Sequence, residues 1–100
     1  MKETIIKIEK AKARYKKYSA IVKNKETGKT RTINFGDNRY EQFSDSTPLK
    51  LYASKNHGDK KRKDAYFSRH SGTKIKSEAI AKEKASGLYS AKLLAHIYLW

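Results

Sequence analysis

The chain has 100 residues, with 24 Lys and Arg against 10 Asp and Glu, a formal net charge of +14 at pH 7 and no cysteine. That length makes one small domain, able to bury only about 60 to 65% of its unfolded surface. The missing thiols exclude a disulfide framework, a thiolate zinc site and a thiol nucleophile. Residues 1–50 hold 13 basic and 6 acidic side chains and residues 51–100 hold 11 and 4, so the excess is spread along the chain and is not gathered in a tail. A surface of this kind prefers a polyanion, an acidic protein or an acidic lipid surface. Its charge exceeds the magnitude of about 2 to 8 that keeps a small domain soluble.

The longest apolar stretch, Leu93 to Trp100, is interrupted by His96 and falls far short of the ~20 residues that span a bilayer. Apolar residues run out after Ile8 at the N-terminus, short of the hydrophobic region of a secretory signal. The expectation is a protein that stays inside the cell that makes it, with no membrane span.

In chain order, Thr4 to Glu9 is rich in β-branched residues and reads as a strand with Ile6 and Ile8 on one face, helix being the alternative. Tyr18 to Lys23 is a second strand. The polar loop Asn24 to Gly28 closes a hairpin, its glycine suited to the left-handed conformation. After it, Thr30 to Phe35 alternates, with Arg31, Ile33 and Phe35 on one side. Residues 1–36 therefore form a three-stranded antiparallel β-meander ending at Gly36. Residues 37–59 form an irregular connection around Pro48, pinned by Tyr40, Phe43 and Tyr52. Asp59 then caps a short helix that stops at Ser71 and Gly72. A second helix runs from about Ser77 through Ala85 with Ile80 as its main anchor, Gly87 breaks it, and a third apolar piece, Leu88 to Ile97, completes a helical part over 60–100. The fold class is α+β, in a single domain with two or three short C-terminal helices.

The search for chemistry returns little. The five glycines are isolated and form no phosphate-binding loop. His57, His70 and His96 have no metal-ligand spacing. An enzyme would need His57, Asp59 and His70 gathered around a pocket, and the chain is read as non-enzymatic, without cofactor. The basic runs carry more: Lys10, Lys12, Arg14, Lys16 and Lys17 surround Tyr15 without an acid, and Lys60, Lys61, Arg62 and Lys63 are consecutive. In the second run the cations sit in the first turn of a helix, opposing its dipole. Either Asp59 and Asp64 offset this or an external anion does. Arg62, Tyr66 and Arg69 share one face of that helix, and the run also matches a nuclear-localisation or nucleic-acid patch. These residues, with Arg69, are the candidate contacts to a polyanion or acidic partner. Tyr15, Tyr18, Tyr40 and Tyr66 lie beside cations and can stack on bases, although packing explains most such tyrosines. Leu93, Leu94, Ile97, Leu99 and Trp100 place large apolar groups where chains usually fray. They must pack on their own domain or dock on a neighbour.

Taken in order, Ile6 to Lys10, Lys17 to Ala20, Thr27 to Gly36 with Tyr40 and Phe43, Arg62, Tyr66 to His70, and Gly87 to Leu94 resemble a family of small basic proteins encoded by large nucleocytoplasmic DNA viruses. The hairpin ending in Phe35 and Gly36 and the pair Arg69 and His70 are its most specific parts. The resemblance implies a viral setting, with synthesis in the host cytoplasm or a nuclear stage, and no catalytic residues. The expected role is a minor capsid or cement protein of the virion, bridging other capsid proteins. A DNA-binding or DNA-condensing protein packaged with the genome is the alternative.

Overall fold

β-branched and aromatic residues give the first third of the chain its strands. In a computed structural model describing all 100 residues, β1 (Glu3–Lys10), β2 (Lys16–Asn24) and β3 (Thr30–Asp37) form an antiparallel sheet in the order β1-β2-β3. The sheet is followed by α1 (Lys60–Ser71), α2 (Lys76–Lys84) and α3 (Ala91–Tyr98), an α+β arrangement. Tyr18, Ala20 and Val22 of β2 and Ile33 and Phe35 of β3 turn one sheet face into the core, where they meet Leu94 and Leu99. Each large side chain buried in this way contributes about 1.5–3 kcal/mol.

The strand β1 departs from simple alternation. Its register slips between Ile5 and Lys7, so that Ile5 faces Val22 and Ile8 faces Ala20. This bulge turns Ile5 and Ile8 onto the core and leaves Ile6, expected beside Ile8, 55% exposed. One inserted residue flips the alternation.

The connection from 38 to 59 is pinned by polar groups more than by rings. Tyr40 is 65% exposed, whereas Gln42, Asp45 and Thr47 are buried. Asp45 accepts from the Tyr18 hydroxyl and from the Thr47 hydroxyl and the Thr47 and Tyr52 amides. Gln42 donates to the Tyr52 carbonyl and to Asn56, both at 2.7 Å. The segment is sewn to the C-terminal residues by Phe43 and Ser44 amides on the Leu99 carbonyl and the Ser46 amide on that of Tyr98. Burial alone would raise the Asp45 carboxyl, but the hydrogen bonds from Thr47 and Tyr18 outweigh it and hold it below the usual range.

In the helical part Asp59 caps α1, accepting from the Lys61 and Arg62 amides, and Gly72 ends it in the left-handed conformation at φ 67°. The buried residue of α2 is Ala79; Ile80, expected as the anchor, is only half-buried. Small Ala79 packs with Tyr66 and Phe67 of α1 in a second apolar cluster. His96 of α3 is fully buried, with Nδ1 2.8 Å from the Tyr66 hydroxyl and Nε2 3.1 Å from that of Ser71. Burial keeps its imidazole below the ordinary histidine range, in the neutral form.

The apolar C-terminal residues are used internally. Leu93, Leu94 and Leu99 are buried, Ile97 is half-buried, and Trp100 stacks on Tyr66 with centroids 4.4 Å apart and planes 5° from parallel. The docking role expected for Leu93, Leu94, Leu99 and the stacked Trp100 is thereby corrected: these groups close this chain's own core. A second tie joins the first strand to the approach to α3. Buried Glu3 accepts from Arg31 at 2.7 and 2.8 Å and from the Tyr89 amide at 2.8 Å. The Arg31 hydrogen bonds hold its carboxyl below the usual range despite burial.

Candidate functional site

Most of the first basic run lies in and beside the turn between β1 and β2. Lys10, Lys12, Arg14 and Lys16 are exposed there and none has a carboxylate within 4.0 Å. Lys17 is the exception and a correction to its expected role. At 2% exposure, its amine donates to Gln42 and its stem lies against Gly36. Burial brings this ammonium down to about 8, with nearby Lys55 pushing the same way. Gly36 has φ 77°, and a Cβ there would sit 2.9 Å from Leu99 Cδ1 and 3.0 Å from Lys17 Cδ. No other residue fits without displacing both.

The turn is locked to the end of β3. The Asn38 amide donates to the Tyr15 carbonyl at 3.0 Å, and Lys16 pairs with Asp37 in the sheet. Tyr15 has φ 64°, a left-handed backbone uncommon for an aromatic residue. Two guanidinium groups lie over its ring, Arg14 4.6 Å and Arg39 4.2 Å from the centroid. Arg39 also reaches to 5.7 Å from the Tyr40 ring. Asp37 grips Arg39 in a fork, accepting from Nε at 3.0 Å and from Nη2 at 2.7 Å. That grip, reinforced by the Arg39 amide, brings the Asp37 carboxyl down to about 2.

Tyr40 leads from this cluster into an open groove of about 450 Å³. Its walls include Asp37, Tyr66, Arg69, His70 and Trp100. Arg69 is exposed on the groove and has no ion pair. His70 packs 4.6 Å from the Tyr66 ring, and burial, then Arg69 and Lys92, lower its pKa from the usual value.

The second basic run is partly compensated within the fold. Lys60 and Lys61 are exposed over the Asp59 cap, Arg62 pairs with Glu41 at 3.0 Å, and the Lys63 ammonium lies 4.6 Å from the Phe43 ring. The helix start is thus met by Asp59, one of the two internal carboxylates considered for it; Arg62 and Lys63 have local partners. His70 and His96 both pack against the Tyr66 ring, at 4.6 and 5.3 Å. His57 accepts on Nδ1 from the Asp59 amide at 2.9 Å and lies against Trp100, whereas His70 is on the groove. No group of three His, Asp or Glu side chains is placed to hold a metal ion, and no helix is long and apolar enough to cross a membrane.

Sequence reasoning singled out Tyr15, Tyr40 and Arg69 separately but missed Arg39, which joins the first two. The signal available was Asp37 and Arg39 two residues apart directly after Gly36, a spacing that lets a carboxylate fix a guanidinium. No family model, curated protein or solved structure matches this chain.

Proposed function

We propose that this protein is a non-enzymatic structural component of a large DNA virus particle, a minor capsid or cement protein that bridges larger subunits through its cationic surface. The observation that carries this reading is the amount of unpaired positive charge held on a folded scaffold. Five ion pairs engage five of the 24 basic side chains, and the rest have no carboxylate within 4.0 Å. Apart from the buried and hydrogen-bonded few, these cations await external anions. The viral setting rests on the resemblance of the motif order. Strand addition is a weaker route to a neighbour, because the bulge and lysines of edge strand β1 oppose pairing. Quantitative mass spectrometry of gradient-purified particles, stripped layer by layer, tests the proposal. Retention with the shell and release by salt support it, and absence from particles that form in cells containing the protein overturns it.

A second reading, binding to packaged nucleic acid, is favoured by the tyrosines and guanidiniums clustered beside the turn between β1 and β2. Gel-shift titration at two salt concentrations checks it. A steep loss of affinity with salt is expected, and no binding at low salt removes this reading.

A further inference from the structure

The structure assigns to Tyr15, Arg39 and Tyr40, with the adjoining groove at Arg69, a binding surface for single-stranded nucleic acid. The inference rests on the second reading above and goes beyond it by naming the site and the form of the ligand.

Three features distinguish this surface from a merely cationic one. The first is exposed aromatic area: Tyr15 is 39% and Tyr40 65% exposed, while Tyr18 and Tyr66 are buried in the cores. An unstacked base can lie on the Tyr40 ring, which Arg39 approaches only to 5.7 Å, while Tyr15 carries the guanidinium groups beside it; base–aromatic stacking is indifferent to sequence because every base has a π-face. The second is preorganisation. The fork from Asp37 fixes the Arg39 guanidinium, which lies over the Tyr15 ring, and the Asn38 amide fixes the Tyr15 backbone. Little ordering entropy remains to be lost when a ligand arrives. The third is the placement of charge. Lys10, Lys12, Arg14 and Lys16 stand around the turn, and Arg69 stands on the groove that Tyr40 borders. The carboxylates that also line the groove, Asp37 and Glu41, are paired with Arg39 and Arg62, so a backbone beside a base stacked on Tyr40 finds unpaired cations at the turn and at Arg69.

A duplex suits the surface less well. Its bases are already stacked and paired, so the rings of Tyr15 and Tyr40 could meet only its backbone and groove edges. Charge alone would then hold it, and its affinity would follow salt without regard to the tyrosines. An acidic protein would satisfy the lysines and leave the rings without a stacking partner.

The test uses the whole chain and a fluorescent thymidine oligomer of about 12 nucleotides, within the span that one small domain covers. Anisotropy titrations compare it with a duplex of equal phosphate number and with heparin, which has charge but no bases. The single strand is expected to bind more tightly than the duplex. Tyr40→Ala should weaken oligomer binding about 10-fold or more while leaving heparin binding unchanged, and Tyr40→Phe should restore the oligomer. Tyr15→Asn, which keeps a residue type tolerant of positive φ, should weaken the oligomer in the same selective way. Circular dichroism confirms that each variant is folded. Oligomer binding insensitive to both tyrosine substitutions, equal losses for oligomer and heparin, tighter binding of the duplex, or no binding to the oligomer at low salt would each overturn the assignment. Duplex binding that survives while the tyrosines prove inert leaves the broader nucleic-acid reading standing, so the two can fail separately.

Discussion

Between β1 and β2 the run Lys10 to Lys17 has no acid of its own, whereas the run Lys60 to Lys63 meets Asp59, Glu41 and the ring of Phe43. The two are alike as strings of cations. Their difference comes from backbone context. A helix start presents free amides and a positive dipole end, so the fold must put a carboxylate there, and Asp59 does this one residue before the helix. A β-turn makes no such demand. Cations in the turn remain unpaired, and the aromatic residue among them carries two guanidinium groups over its ring. Charge density in a sequence is thus a poor guide to where free charge lies.

Four changes break or sharpen that contrast. The largest effect is expected from Asp45→Ala, which opens the connection that covers Lys17. Tyr18, Thr47 and Tyr52 would all lose their acceptor, at ~1–3 kcal/mol for each buried donor left unsatisfied. A stability loss of about 3 kcal/mol or more should lower the melting temperature by more than about 10 °C, as read by circular dichroism. The wild type carries a related pH signature. Because the Asp45 carboxyl is held low in the folded state, its contribution is present at neutral pH and is lost as the pH falls through that depressed value.

Next, replacing Lys10, Lys12 and Lys16 together by Gln should reduce the slope of log affinity against log salt by about 2, at roughly 0.7 per phosphate contact on a single strand. Replacing Arg62 and Lys63, which already have Glu41 and the Phe43 ring as partners, should change it less. An equal change per residue from the two pairs of measurements would erase the distinction drawn between the runs. Third, Asp59→Ala should cost about 1 kcal/mol, seen as a drop of about 4–8 °C in melting temperature. Asp59→Asn should recover most of it, since an amide oxygen also caps.

The smallest effect is a pH slope from the inward-turned Lys17. Its ammonium is brought to about 8 from 10.5 by burial, so between those values the unfolded chain holds the proton more strongly than the folded one. Stability should therefore gain from this group as pH rises from about 8 towards 10.5. Urea unfolding at two pH values inside that window should show the gain in the wild type and a smaller one in Lys17→Met.

Much of the architecture was legible because its signals are local. Alternation marked β3, Gly28 marked the hairpin, and Asp59 with Gly72 bracketed α1, all of which the structure reproduces. The bulge in β1 was hidden because Ile5, Ile6 and Ile8 are equally apolar, and only cross-strand register decides which two face inward. Ala79 displaced Ile80 as the buried residue of α2 because its position beside Tyr66 and Phe67 matters more than its size. In the candidate site, Lys17 could not be told from its neighbours, since burial depends on Gln42, which is 25 residues away. The role of Arg39 depended likewise on Tyr15 being brought across from another turn.

Trp100, the single tryptophan, packs against both apolar clusters and so acts as a built-in reporter on how the two halves communicate. If sheet and helices melt as one cooperative unit, its fluorescence and the far-ultraviolet dichroism of the strands will trace superimposable curves. Removing the indole would then be felt as a separation of the two transitions as well as a loss of stability.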